Sequence, residues 1–329
     1  MRPTTEAATR WVRPMGWATL VANIVLVVTG GAVRLTGSGL GCPTWPRCTD
    51  ESYTPHGALN LHSAIEFGNR MLTFVLVAIA IATFLAAWRS RRSDLLRLAT
   101  LLALGIPAQA VIGGITVLTD LNPWIVSLHL VCSLAIIGLS VRFLQVADAP
   151  VGAPVRGGLV GLAWATFLAG WAVLYIGTIV TGSGPHAGDA DSKRTGLDPL
   201  QVSQLHADAV FLLLGLTVGL LLALRATGAP AQAVRAAWIL LAVELGQGTI
   251  GFVQYFTDLP VVLVGFHLLG AALTSAALTW ALLTVRHPRA TSQRVLVAPL
   301  EADSRPDVPG VDAPEVDEPR PVQGSPVNR

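Results

Sequence analysis

Four histidines, His62, His129, His206 and His267, each stand at the head of a long apolar run in the 329-residue chain. Imidazole is the commonest protein ligand for transition metals. One histidine near the end of an apolar helix reads as an interfacial side chain, but four at repeated places ask for a shared role. Zinc sites gather three or four ligands, often with Cys or Asp among them, whereas each half of this chain offers two histidines. A haem iron takes two axial imidazoles and an apolar slot, and facing helices supply such a slot. On this reading His62 and His129 serve one haem, and His206 and His267 another. Gly113, Gly114, Gly246, Gly248 and Gly251 would let backbone approach a flat macrocycle, or simply let helices pack closely.

The stretch "NLHSAIEFGNRM" (60–71) adds a carboxylate to this set. Glu66 lies about one turn inside an apolar run, where an unpaired charge costs several kcal/mol, so it needs a partner or a task. Arg70, at i+4, offers a simple ion pair. Beside a haem the same carboxylate could move protons. With His62 aligned on His206, the residue opposite Glu66 is Val210, so one half alone is expected to do chemistry.

The elements that must position these groups are membrane spans. Hydrophobic residues make up 52% of the chain and charged residues 13%, and the mean hydropathy is +0.59, which excludes an ordinary soluble domain. Apolar runs long enough to cross a bilayer occur near 14–35, 60–88, 95–118, 124–147, 157–180, 200–225, 232–255 and 260–285. With both ends cytoplasmic, the inner segments hold thirteen arginines and the outer loops four basic residues, Arg34, Arg47, Lys193 and Arg194; that asymmetry predicts N-in, C-in. The first run lacks a small-residue cleavage site and reads as a retained helix. From Thr291 the chain is rich in Pro, Asp, Glu and Val without helical period, which predicts a disordered cytoplasmic tail. Nothing suggests a nucleic-acid surface.

The two halves resemble each other. "RLTGSGLG" is matched by "IVTGSGPH", 145 residues from Thr36 to Thr181; "NLHSAIEF" by "QLHADAVF", 144 from His62 to His206; "QAVIGGITVLTDL" by "QGTIGFVQYFTDL" and "SLHLVCSLA" by "GFHLLGAAL", both at 138. The expected fold is therefore an all-α integral membrane protein of eight transmembrane helices, in two tandem four-helix bundles related by a pseudo-twofold along the membrane normal. The expected division is a cytoplasmic N-terminus (1–13), an N-terminal repeat (14–147) with the catalytic site, a linker (148–156), a C-terminal repeat (157–285) and the tail (286–329). The drop from 144 to 138 leaves two registers open, with either His62 or a residue close to Asn69 opposite His206. These are seven residues apart, roughly 10 Å along one helix face.

Cys42 and Cys48 lie in the first outer loop, where a disulfide across five residues or two free thiols would both be allowed. Cys132 reads as a small core residue. "TGSGLG" has no Walker lysine, so a phosphate loop is improbable. His56 and His186 fall in outer loops, with solvent or local turn bonds favoured over contact with haem propionates, and His287 falls in the cytoplasmic basic cluster.

The motifs "GGAVRLTGSGLGCPTWPRC", "IEFGNRM", "SLHLVCS", "TGSGPHAGD" and "GFHLLGAAL" resemble haem A synthase, in order across residues 15–285. The resemblance implies a plasma-membrane oxidoreductase that converts a methyl group of haem O into the formyl group of haem A for aa3-type cytochrome oxidases. One half would hold haem b and the other the substrate haem O. It implies Glu66 as the catalytic residue, within an "E-[FY]-x-x-R" motif matched by Glu66, Phe67 and Arg70, and His129, His206 and His267 as iron ligands. Many members carry a histidine immediately before that arginine. Here Asn69 stands there and a histidine stands two turns earlier, at His62. The family's paired loop cysteines match Cys42 and Cys48, with a role in bringing in electrons. The partners implied are haem O and haem A, a haem O synthase, cytochrome oxidase assembly factors, membrane lipid and a second copy of the chain. Two other readings stay open: a di-haem b cytochrome that transfers electrons without modifying haem, and, more weakly, a transporter of parallel repeats.

Overall fold

The computed structural model describes residues 10–55, 61–148 and 155–286. The expected tail beyond Arg286, His56, His287, most of the 1–13 segment and most of the 148–156 linker lie outside the described residues. Eight helices follow in order: α1 (Val12–Leu35), α2 (Leu61–Arg89), α3 (Ser93–Leu118), α4 (Pro123–Ala147), α5 (Gly157–Ser183), α6 (Pro199–Ala226), α7 (Ala231–Phe256) and α8 (Val261–Arg286). Each is long and apolar enough to cross a membrane, and there is no strand among the described residues. No more than 33% of any span's most apolar window is buried inside the protein, so the larger part of each helix surface is left for lipid. Phe74, Phe211, Phe252 and Phe266 are among the large apolar side chains on that outer face.

Helices α1–α4 pack as a ring, α1 on α2, α2 on α3, α3 on α4 and α4 back on α1, and α5–α8 pack in the same order. The rings meet through α4 on α8, flanked by α1 on α8 and α4 on α5. Leu134, Ile137, Leu213, Leu240 and Leu278, all at most 2% exposed, form the centre of the core. Small residues let α4 and α8 approach: a Cβ on Gly138 would lie 2.8 Å from Thr279 Oγ1, and buried Ser275 donates to Leu134 O at 2.8 Å.

Local chemistry sets the helix ends. Asn122 and Asp198 cap α4 and α6 by accepting from Trp124 N at 3.0 Å and Leu200 N at 2.9 Å, and in each case proline occupies the first turn, where its missing N–H costs nothing. The two "TDL" motifs make the same turn. Asp120 and Leu121 (φ 51° and 58°) and Asp258 and Leu259 (φ 58° and 56°) are left-handed pairs, uncommon for residues other than glycine. Leu121 N donates to Thr116 O, and Leu259 N to Gln254 O, each at 2.8 Å.

Helix ends also separate the two registers. Asn69 lies twenty residues before the end of α2, and His206 lies twenty before the end of α6. The length difference between the halves therefore falls in the loop before α2, and Asn69 stands where His206 stands.

Candidate functional site

The loop after α1 folds back onto α2. Cys42 and Cys48 are joined in a disulfide, both sulfur-bearing residues being almost wholly buried. Glu66, 5% exposed, holds this loop with one oxygen and Arg70 with the other: Cys42 N donates to Oε2 at 2.6 Å, and Arg70 Nη2 donates to Oε1 at 2.5 Å. Arg70 also donates to Cys42 O at 2.9 Å and to Thr44 O and Arg47 O at 3.1 Å each. The i+4 spacing brings the pair onto one helix face, as expected. Ser63 Oγ donates to Gly41 O at 2.7 Å, and a Cβ on Gly41 would run into the His62 carbonyl. Gly114 of α3 leaves room for the Trp45 indole, so this glycine admits the loop.

His62 is exposed at the loop-bearing rim of α2, with Nδ1 2.9 Å from Ser38 Oγ. It is seven residues, about 10 Å of helix, from the level of Asn69. Asn69 Oδ1 accepts from Thr29 Oγ1 of α1 at 2.8 Å. Across this ring, α4 supplies His129. Its Nδ1 is buried without a hydrogen-bond partner, and a Cβ on Gly113 of α3 would lie 3.4 Å from its Cε1. Gln109, one turn earlier on α3, donates to His129 O at 3.1 Å and to Ser133 Oγ at 2.5 Å.

The second ring carries two histidines. His206 and His267 each bury an Nδ1 without a hydrogen-bond partner, and the His206 ring also meets the Val173 backbone of α5. A Cβ on Gly177 of α5 would lie 3.1 Å from His206 Cε1, and one on Gly251 of α7 would lie 3.6 Å from His267 Cε1. Gly246 and Gly248 face open space. Orphaned imidazole nitrogens are rare in interiors and call for a ligand or water, and glycine beside each ring leaves room that a side chain would fill. On both counts these residues fit a haem.

The loops after α1 and α5 join the rings at this end. Arg34 donates to His186 O at 2.6 Å and to Thr181 O at 2.9 Å, and Gly39 N donates to Gly188 O at 2.9 Å. His186 Nε2 pairs with Leu259 O at 2.9 Å, a contact across 73 residues to the turn before α8 and not the solvent or local turn bond expected for it.

One buried carboxylate was not singled out from the sequence. Glu244, near the middle of α7 and 6% exposed, accepts from Thr217 Oγ1 of α6 at 2.7 Å, while its Oε2 has no partner. The signal was a lone acidic residue in "WILLAVELGQG". It sits at no position matched by the duplication: 138 residues earlier stands Ile106.

Fold and site together define a multi-pass helical membrane protein whose interior carries imidazoles suited to a metal cofactor, with a disulfide loop tied to a buried carboxylate. The chain belongs to the cytochrome oxidase assembly protein family, whose model matches residues 13–189. Among curated proteins it is similar to a protein named heme A synthase from Geobacillus thermodenitrificans, at 31% identity over 112 residues (33% of this chain, 34% of that one). It is similar to those of the same name from Geobacillus kaustophilus, at 30% over 138 residues (41% and 43%), and Listeria monocytogenes, at 28% over 180 residues (49% and 56%). The matches thus span from about a third to just over half of the length of these relatives.

Proposed function

We propose that this protein oxidises a methyl group of haem O to the formyl group of haem A, with the α1–α4 ring as the reacting half and the α5–α8 ring as the seat of a haem b. The names of the relatives support the reaction class. The observation that carries the assignment of the reacting half is the fastening of Glu66 to the backbone of disulfide-bonded Cys42 in the first ring alone.

In this reading His206 and His267 hold the haem b iron, and His129 holds the substrate iron. The bound haem supplies the iron at which electrons and oxygen chemistry meet. Asn69 changes the first ring: a carboxamide engaged by Thr29 would be a poor iron ligand beside an imidazole, so His129 would be the residue that holds the substrate haem at this level. His62, at the rim, lies at the level of the loop and serves the edge of the site. Glu66 takes and returns protons at Oε2, with Arg70 compensating its charge through Oε1 and keeping it aligned. The disulfide loop covers the site and, when its thiols are free, offers electrons. The two rings are read as tandem repeats, N-in and C-in.

The experiment is a single-variant assay. Glu66→Gln keeps the shape and, through its amide oxygen, the Cys42 contact; it removes the charge and the capacity to take up a proton, and sets its NH2 against Arg70 in place of Oε1. It is expected to bind haem as the wild type does and to leave haem O unconverted; full conversion by this variant overturns the role of Glu66. A wild type that binds haem but leaves haem O unchanged would instead point to the electron-transfer cytochrome.

A further inference from the structure

We infer that Glu244 is a proton-binding group coupled to reduction of the haem held by His206 and His267, an inference that rests on the reading of the second ring given above. Two helices place it in line with the histidine pair. On α7, Glu244 and Gly251 are seven residues apart, two turns on the same face, and Gly251 is the glycine that borders His267. On α6, His206 and Thr217 are eleven residues apart, three turns on the same face, and Thr217 donates to Glu244 Oε1 at 2.7 Å. The carboxyl group therefore hangs in the same interior as the two imidazoles, roughly 10 to 16 Å along the bundle from their level.

Its surroundings leave it available. Glu244 is 6% exposed, Oε2 has no partner, and none of the ion pairs among the described residues includes it. The helices packed against α7 are α6 and α8. Besides His206, α6 carries exposed Asp208, bonded to Gln204, and Arg225, stacked over Trp238 at the far end. Besides His267, α8 carries only Arg286, stacked over Trp164 at the far end. On α7 itself Arg235, nine residues away, stacks over Trp280. No cation reaches the carboxylate. The charge it senses is that of the site beneath which it hangs, and a low-dielectric interior screens that charge weakly.

The coupling follows. On reduction the ferric iron accepts one electron from the external reductant and becomes ferrous, while the Glu244 carboxylate accepts one proton from bulk water and an O–H bond forms; oxidation reverses both. Each event favours the other to the same extent, because linkage is reciprocal. A merely structural Glu244, tying α6 to α7 through Thr217, would show no such dependence.

The test is a redox titration of the purified, haem-loaded full chain with dithionite and mediators at a series of pH values. In the wild type the midpoint of the second-ring haem should fall as pH rises, approaching about 59 mV per tenfold drop in proton concentration over the interval in which Glu244 changes protonation. Glu244→Gln should flatten that slope, and Glu244→Asp should restore it. Thr217→Val, which keeps the carboxyl group but removes its donor, should move the pH interval without abolishing the slope. Infrared difference spectra should show a carboxylic C=O band gained on reduction in the wild type and missing in Glu244→Gln. A pH-independent wild-type midpoint, or an unchanged slope in Glu244→Gln, overturns this inference alone. A chain that binds no haem at His206 and His267 overturns the reading of the ring as well.

Discussion

Both carboxylate oxygens of Glu66 are engaged, one by the backbone of a disulfide-bonded cysteine and one by Arg70. Arg70 in turn grips three loop carbonyls. Arg70→Ala removes all of these at once and strands a buried carboxylate, so we expect a loss of roughly 3 kcal/mol of stability. We also expect faster reduction and alkylation of Cys42 and Cys48, read by thermal melting and by mass shift after thiol labelling. Unchanged labelling kinetics would separate the loop from Arg70. At this scale the sequence was partly legible: the i+4 spacing announced the ion pair, but the contact to Cys42 N spans 24 residues and has no local signature. Glu244 is a lone acidic residue in an apolar run, and the duplication has nothing to match it.

Element geometry decides what the histidines can hold. The glycine beside each ring belongs to a different helix from the histidine it borders, α3 for His129, α5 for His206 and α7 for His267, so helix packing makes the space. A Cβ on Gly177 would already lie 3.1 Å from the His206 ring, and the larger side chain of Gly177→Val is expected to push the imidazole aside. The variant should keep its helical circular dichroism and lose at least half of its bound haem b by pyridine haemochrome assay; full haem content would show that the ring has room to adjust. Eight spans were legible from apolar length alone, and the described helices depart from the expected runs by a few residues at most ends. The alignment of the second span was not legible, because the length difference lies in an irregular loop whose residues carry no period. The helix ends supply it, and they put Asn69, not His62, opposite His206.

The described helices form two rings joined along α4 and α8. Where α4 crosses α8 the contact is made by Gly138, Ser275 and Thr279, with a serine hydroxyl on a backbone carbonyl, a pattern that suits helices meeting in lipid. Gly138→Leu should wedge these helices apart, at a cost of about 1–3 kcal/mol. We expect a lower melting temperature in detergent while each ring keeps its own haem, since Gly138 borders none of the histidines. A melting temperature equal to that of the wild type would mean that the rings are held elsewhere. The duplication that revealed four histidines also suggested that chemistry belongs to one half, and it is the asymmetry between the rings, Glu66 with its loop in one and Glu244 without one in the other, that the proposed division of labour uses.

That division is tested most directly by extracting and separating the haems from cells that make haem O and express either the wild-type chain or Glu66→Gln at equal levels. The account predicts haem A, or its hydroxylated precursor, with the wild type only, and haem b retained by both purified proteins. Haem O left unchanged by the wild type, with haem b still bound, would contradict it.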